Sequence, residues 1–83
     1  MHDRAFQEAL GQALRERRMA LGLSQEETAE LARCSTRFVH SAETGKPSLR
    51  FDKLLGLLAA LGLGLRLITK TGLGVEPPKP NKP

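Results

Sequence analysis

A single cysteine, Cys34, stands in the 83-residue chain. It leaves no internal disulfide and no cysteine-pair zinc site. The two histidines, His2 and His40, lie far apart and lack ligand spacing. There is no Trp and no Tyr, and three Phe are the only aromatics. Single-strand nucleic-acid binding on stacked aromatic platforms is therefore disfavoured. No apolar run approaches the roughly 20 residues of a membrane span. The polar start, Met1 to Phe6, has no signal-peptide apolar core. No internal repeat is present.

Catalytic patterns are missing too. The chain has no GxxxxGK[ST] phosphate loop. Its glycine pairs, in Leu61–Leu65 and Thr71–Gly74, precede no helix and make no nucleotide fingerprint. No paired-carboxylate, Ser-His-Asp or Cys-His arrangement can be assembled in so small a fold. A non-enzymatic chain needing no cofactor and no metal is the expectation.

What remains is small and mildly basic. Thirteen Lys and Arg against nine Asp and Glu give a net charge of +4, which suits a polyanionic partner without proving one. One domain of this size buries only roughly 60–65% of its unfolded surface. Without disulfide or metal, oligomerisation is the remaining source of extra stability.

Helical periodicity dominates. Phe6, Leu10, Leu14 and Leu21 place a first helix over about Asp3 to Leu21, ended by Gly22. Ser24 and Glu27 form a capping box for a short second helix that stops near Ala32, with Ala29, Leu31 and Ala32 inward. Arg33, Cys34 and Ser35 make a three-residue turn, and Ser35 caps a third helix, Thr36 to Glu43. At 100° per residue, Phe38, Val39 and Ala42 share one side of that helix. Thr36, Arg37, His40 and Ser41 share the other. Gly45 and Pro47 close it. Ser48 is a candidate cap for a fourth helix to about Leu61, with Phe51, Leu54, Leu55, Leu57, Leu58 and Leu61 on its apolar face.

After Gly62 the pattern alternates. Leu63, Leu65, Leu67 and Ile68 with Gly64 and Arg66 predict a strand to about Lys70. A lone strand has unpaired backbone groups, so pairing with the same strand of a second copy is the expectation. Residues 1–62 then form the helical domain, 63–71 a dimerisation strand, and 72–83 a flexible Pro-rich tail.

Two short helices joined by a tight turn, the second with an exposed polar stripe, constitute a helix-turn-helix. An α-helix of about 10–12 Å diameter fits the major groove. Arg37 can donate twice to guanine, Thr36 and Ser41 can donate, accept or touch a thymine methyl, and His40 can reach a base edge or phosphate.

The run Leu21–Ala32 followed by Ser35–Lys46 resembles the Cro/C1-type (XRE) helix-turn-helix family. The continuation from Pro47, with its Leu-rich helix and terminal strand, is similar to HipB-like antitoxins. The resemblance implies a lambda-repressor-like, mainly α fold of four to five helices with a C-terminal β-strand paired across a homodimer. It implies sequence-specific repression at a palindromic double-stranded operator, autoregulation of a toxin–antitoxin operon, and neutralisation of a HipA-like kinase toxin. The setting would be the cytoplasm, at the nucleoid. It assigns Gln25 to a DNA phosphate and to bracing the recognition helix, Ser35, Thr36, Arg37 and Ser41 to bases or adjacent phosphates, and Lys46 and Arg50 to the DNA backbone. Arg18 and Glu43 become a buried ion pair. Arg33 stands where the family usually has Gly, and Ala42 where a larger apolar residue is usual. A stand-alone XRE regulator and a protein-interaction module without DNA reading are the alternatives.

Overall fold

The computed structural model describes residues 4–69. Four helices fill most of that span: α1 (Arg4–Ala20), α2 (Gln25–Ala32), α3 (Thr36–Glu43) and α4 (Phe51–Ala60). Leu14, Ala29, Val39, Ala42, Leu54, Leu57, Leu58 and Leu61 form one shared core. Helix α2 packs on α4 and on α3, and α3 packs on α1.

Each helix ends with the same device. A residue in the left-handed conformation follows the helix, and two backbone N–H groups turn back to its last carbonyls, as in a Schellman motif. Gly22, Gly45 and Gly62 take that conformation after α1, α3 and α4. After α2 the position is held by Arg33, at φ 58°. There Arg33 N donates to Glu30 O and Cys34 N donates to Ala29 O. The missing glycine therefore leaves the turn geometry unchanged and places a side chain in a region costly for L-residues.

The starts are also explicit. Ser24 Oγ accepts from Glu27 N at 2.9 Å, and Glu27 Oε1 accepts from Ser24 N at 2.8 Å, completing the expected capping box. Ser35 Oγ accepts from Phe38 N at 3.0 Å. The fourth helix departs from expectation: Arg50, not Ser48, precedes its first turn, and no side chain caps it. Leu49, partly buried against the core, holds the preceding chain out of helical conformation.

The expected C-terminal strand is absent. No strand occurs among the described residues, and 63–69 carry no regular structure. Leu63 N donates to Leu58 O at 2.8 Å, so Leu63 serves to close α4. Beyond it, Leu65, Leu67 and Ile68 are exposed, Leu67 at 98%. Alternation specifies which way side chains point, but a strand also needs a ladder partner, and no described segment offers one. The strand-paired dimer through Leu63, Leu65, Arg66, Leu67 and Ile68 is corrected accordingly. Lys70 and the Pro-rich tail 72–83 lie outside the described residues.

Several apolar residues on the expected stripes are also exposed, among them Phe6 and Leu21 of the expected first helix. Leu31, Phe51 and Leu55 remain 60%, 63% and 43% accessible. The α4 stripe, with Phe51 and Leu55, is broader than the surface packed against it, and Leu31 projects from α2. Gly56 lies on the covered side, where its Cβ position is 3.4 Å from Ala32 O of α2.

Candidate nucleic-acid interface

Helices α2 and α3 are joined by Arg33–Ser35. Val39 and Ala42, both almost inaccessible, anchor α3 to the core. The opposite face is presented outward: Thr36, Arg37 and His40 are exposed, and Ser41 is half-buried. Ser35 is exposed as well, although its hydroxyl is engaged as the cap.

An open cleft of about 240 Å³ lies beside this face, lined by Ser35, Arg37, Phe38, Ser41, Lys46, Ser48, Leu49 and Arg50. The fold thus gathers five of the eight expected DNA-contacting residues, Ser35, Arg37, Ser41, Lys46 and Arg50, around one concave surface. Thr36 and His40 sit on α3 outside that lining. The chemistry of the cleft is cationic and donor-rich, which matches phosphate oxygens and base acceptors. Arg50 is already engaged: its guanidinium donates to the Asp52 carboxylate, with Nη2–Oδ2 at 2.7 Å, and both side chains are exposed. Hydrogen bonding from Arg50 holds the Asp52 carboxyl below its usual range.

Gln25 occupies a different setting. It is the first residue of α2 and half-buried, and its Nε2 donates to Glu43 Oε1 at 3.1 Å. Glu43 also accepts from Arg18: Nε reaches Oε2 at 2.5 Å and Nη2 reaches Oε1 at 3.1 Å. Arg18 Nη1 donates further to Leu23 O at 2.8 Å. The pair is enclosed, with side-chain exposures of 12% for Arg18 and 4% for Glu43. Burial pushes the Glu43 carboxyl up, but hydrogen bonds from Arg18 and Gln25, with the charges of Arg18 and Arg15, outweigh it and leave it below its ordinary value. The Arg18 guanidinium is raised, chiefly by its hydrogen bond to Glu43. The one acidic residue of α3 is thus neutralised inside the protein rather than set against a polyanion.

Two further residues gain roles that the sequence pattern did not suggest. Arg17 donates from Nε to Leu61 O at 2.8 Å and ties α1 to the end of α4. Gly11 is buried in α1. A Cβ there would overlap Glu43 O and stand 2.8 Å from Ala42 O, so α3 rests directly on the α1 backbone. A buried glycine inside an otherwise helical run was the available signal. The same approach accounts for the small Ala42 on the facing helix.

Cys34 is half-buried in the turn. Burial pushes its thiol up, with the charge of Lys53 opposing, the opposite of the shift that activates a thiolate. No cluster of metal-ligating side chains occurs among the described residues. No described helix is long and apolar enough to cross a membrane.

The helix-turn-helix domain family matches residues 9–69. Among solved structures, the restriction-modification controller protein C.AhdI from Aeromonas hydrophila is 37% identical, with a TM-score of 0.66 over 72% of this chain and 91% of its own. The clp gene regulator ClgR from Corynebacterium glutamicum is 34% identical, with a TM-score of 0.64 over 71% of this chain and 76% of its own. A second structure of ClgR is 35% identical, with a TM-score of 0.61. No curated protein matches the sequence. The chain belongs to the helix-turn-helix domain family, with a Cro/C1-type DNA-binding fold related to known transcriptional regulators.

Proposed function

We propose that this protein is a stand-alone transcriptional regulator that binds a palindromic double-stranded operator as a homodimer. The observation that carries the reading is the donor-rich cleft of Arg37, Ser41, Lys46 and Arg50 beside the exposed face of α3. In this reading α3 enters the major groove. Arg37 reads a guanine, Thr36, His40 and Ser41 contact neighbouring base edges or phosphates, and Ser35, Lys46 and Arg50 hold the DNA backbone. Arg50 would exchange or share its Asp52 partner on contact with phosphate.

The relatives support the regulator reading over the antitoxin one. C.AhdI is a restriction-modification controller and ClgR a clp gene regulator. The HipB-like resemblance leaned on a terminal strand, and the described residues contain none. The antitoxin reading, with its HipA-like kinase partner, rests on the sequence resemblance alone. The homodimer is supported by the small core and by the exposed apolar side chains Leu31, Phe51 and Leu55. Phe51 and Leu55 lie one turn apart on the outer side of α4. Two recognition helices about 34 Å apart would then meet successive major grooves, on DNA held at the nucleoid of the cytoplasm.

A gel shift with the DNA upstream of the chain's own gene tests the reading. A specific complex should form, and Arg37→Ala should weaken it by about 1–3 kcal/mol while relaxing preference at one position. Unchanged affinity and selectivity in the variant would remove Arg37 as a base reader. In sedimentation, Phe51→Glu should shift the protein toward monomer at unchanged helicity; an unaffected dimer would place the interface elsewhere.

A further inference from the structure

We infer that Asp52 is a positioning residue for DNA contact: its carboxylate holds the Arg50 guanidinium from the side away from the cleft, so that the open end of the fork meets a backbone phosphate. The inference rests on the DNA-binding reading, in which Arg50 touches the DNA backbone, and deepens it.

Arg50 is the last residue before α4, in extended conformation at φ −69° and ψ 125°. Leu49 ahead of it packs on the core. Asp52 lies in the first turn of α4, where the helix dipole favours a carboxylate. The backbone is therefore fixed at both ends of the contact. Between them Arg50 Nε donates to Asp52 Oδ1 at 3.2 Å, and Nη2 donates to Oδ2 at 2.7 Å. Two parallel bonds set the plane of the guanidinium as well as its place. Of the donors on a guanidinium, both on Nη1 and the outer one on Nη2 point away from a carboxylate that grips it in this way. Arg50 lines the open cleft with Arg37, Ser41 and Lys46, and Asp52 is outside that lining. The carboxylate thus stands behind the arginine rather than between it and the cleft.

Two effects of Asp52 on DNA binding oppose each other. Its charge repels phosphate, but across a guanidinium, in water and salt, that repulsion is worth about twofold in affinity. Ordering a free arginine side chain at an interface costs about two- to tenfold. Asp52 removes that cost before DNA arrives, and the cation it holds offsets its own charge. Both side chains are largely exposed, at 68% and 67%. Such a pair adds little to folding, so its effect falls on binding.

A double-mutant cycle tests this, with a fluorescent mixed-sequence duplex as probe because a phosphate contact is independent of sequence. Asp52→Ala should weaken binding about threefold when Arg50 is present. In the Arg50→Ala background it should leave binding unchanged or tighten it by up to about twofold, since only the repulsion is left to remove. Asp52→Glu retains a carboxylate for Arg50 and should recover most of the loss. The Arg50 Nε–Hε signal gives the direct readout. It should exchange slowly with water in the free and the duplex-bound parent, and rapidly in Asp52→Ala. Tighter binding by Asp52→Ala in the parent background would show that Asp52 shields Arg50 from phosphate. Equal changes in both backgrounds would reduce Asp52 to bulk charge. Loss of the protected Nε–Hε signal on adding duplex would show that phosphate displaces Asp52. Each of these results overturns the inference, and with α3 resonances still responding to duplex each leaves the DNA-binding reading standing. Silence throughout α3 would defeat that reading itself.

Discussion

The backbone of Gly11 in α1 carries the carbonyl end of α3 directly, with Glu43 O and Ala42 O lying where a side chain on Gly11 would project. The two helices meet at this point without a side chain between them. The contact sets the depth of α3 against the core, and with it the height of the exposed recognition face.

Gly11→Ala therefore should destabilise the fold although alanine is the better helix former. The propensity gain is about 1 kcal/mol. Overpacking a backbone contact costs about 1–3 kcal/mol, and α3 has no room to retreat without uncovering Val39 and Ala42. Urea denaturation should show a lowered midpoint. A midpoint equal to or above the parent's would mean that the two helices separate freely there.

Arg18→Ala should be among the most damaging single changes, at about 3 kcal/mol, because it strands the nearly inaccessible Glu43 carboxylate without its cation. Glu43 also predicts a pH dependence. Its folded carboxyl lies below the ordinary value, and the unfolded one titrates at about 4.3. As acid is added, the unfolded chain takes up the proton first. The contribution of the pair is therefore complete above about pH 4.3 and declines as pH falls through the folded value. Melting temperature against pH should fall over that window in the parent and less steeply in Glu43→Gln. Parallel curves would show that other carboxylates set the acid limit.

Thr28 presents the opposite case, a buried polar group with nothing to bind. It is fully inaccessible, and its Oγ1 has no hydrogen-bond partner among the described residues. Thr28→Val keeps the shape and removes the desolvated hydroxyl, so it should stabilise the domain by about 1 kcal/mol. Thermal unfolding checks this, and DNA binding should not change. A loss of stability would reveal that the hydroxyl has an acceptor in solution.

Arg33→Gly should stabilise the turn between α2 and α3. The left-handed conformation costs a non-glycine residue about 1–2 kcal/mol, while glycine loses about 0.5–1 kcal/mol more entropy on folding, so a net gain of about 0.5–1 kcal/mol is expected. The other three helices already end on glycine at this position. Chemical denaturation of the purified variant measures the change. A destabilised variant would mean that the Arg33 side chain makes a contribution larger than its backbone strain.

These predictions mark what the sequence could and could not disclose. Caps and stops were legible because they are local: Ser24 with Glu27, Ser35 alone, and the glycines after α1, α3 and α4 each act within a few residues. The polar stripe of α3 and the Arg18–Glu43 pair were legible through periodicity and family resemblance. The start of α4 was misplaced because Leu49 is held by the core, a contact distant in sequence. Family resemblance assigned Gln25 to a DNA phosphate and to bracing the third helix, but that Glu43 is the partner appears only once α2 and α3 are packed.

By itself, then, the sequence determined four amphipathic helices, their order and their endings, because each depends on spacing and capping within a turn or two. It could not determine whether residues 63–69 form a strand, since that requires a partner for the backbone groups, and the described residues supply none. Tertiary structure alone decided that Phe51 and Leu55 stay outside, because packing covers only part of the α4 stripe, and that Leu31 of α2 is left uncovered. It also decided that Gly11 bears α3 and that one buried carboxylate joins Arg18 to Gln25. Both are contacts between elements, and no periodicity within either element encodes their distance.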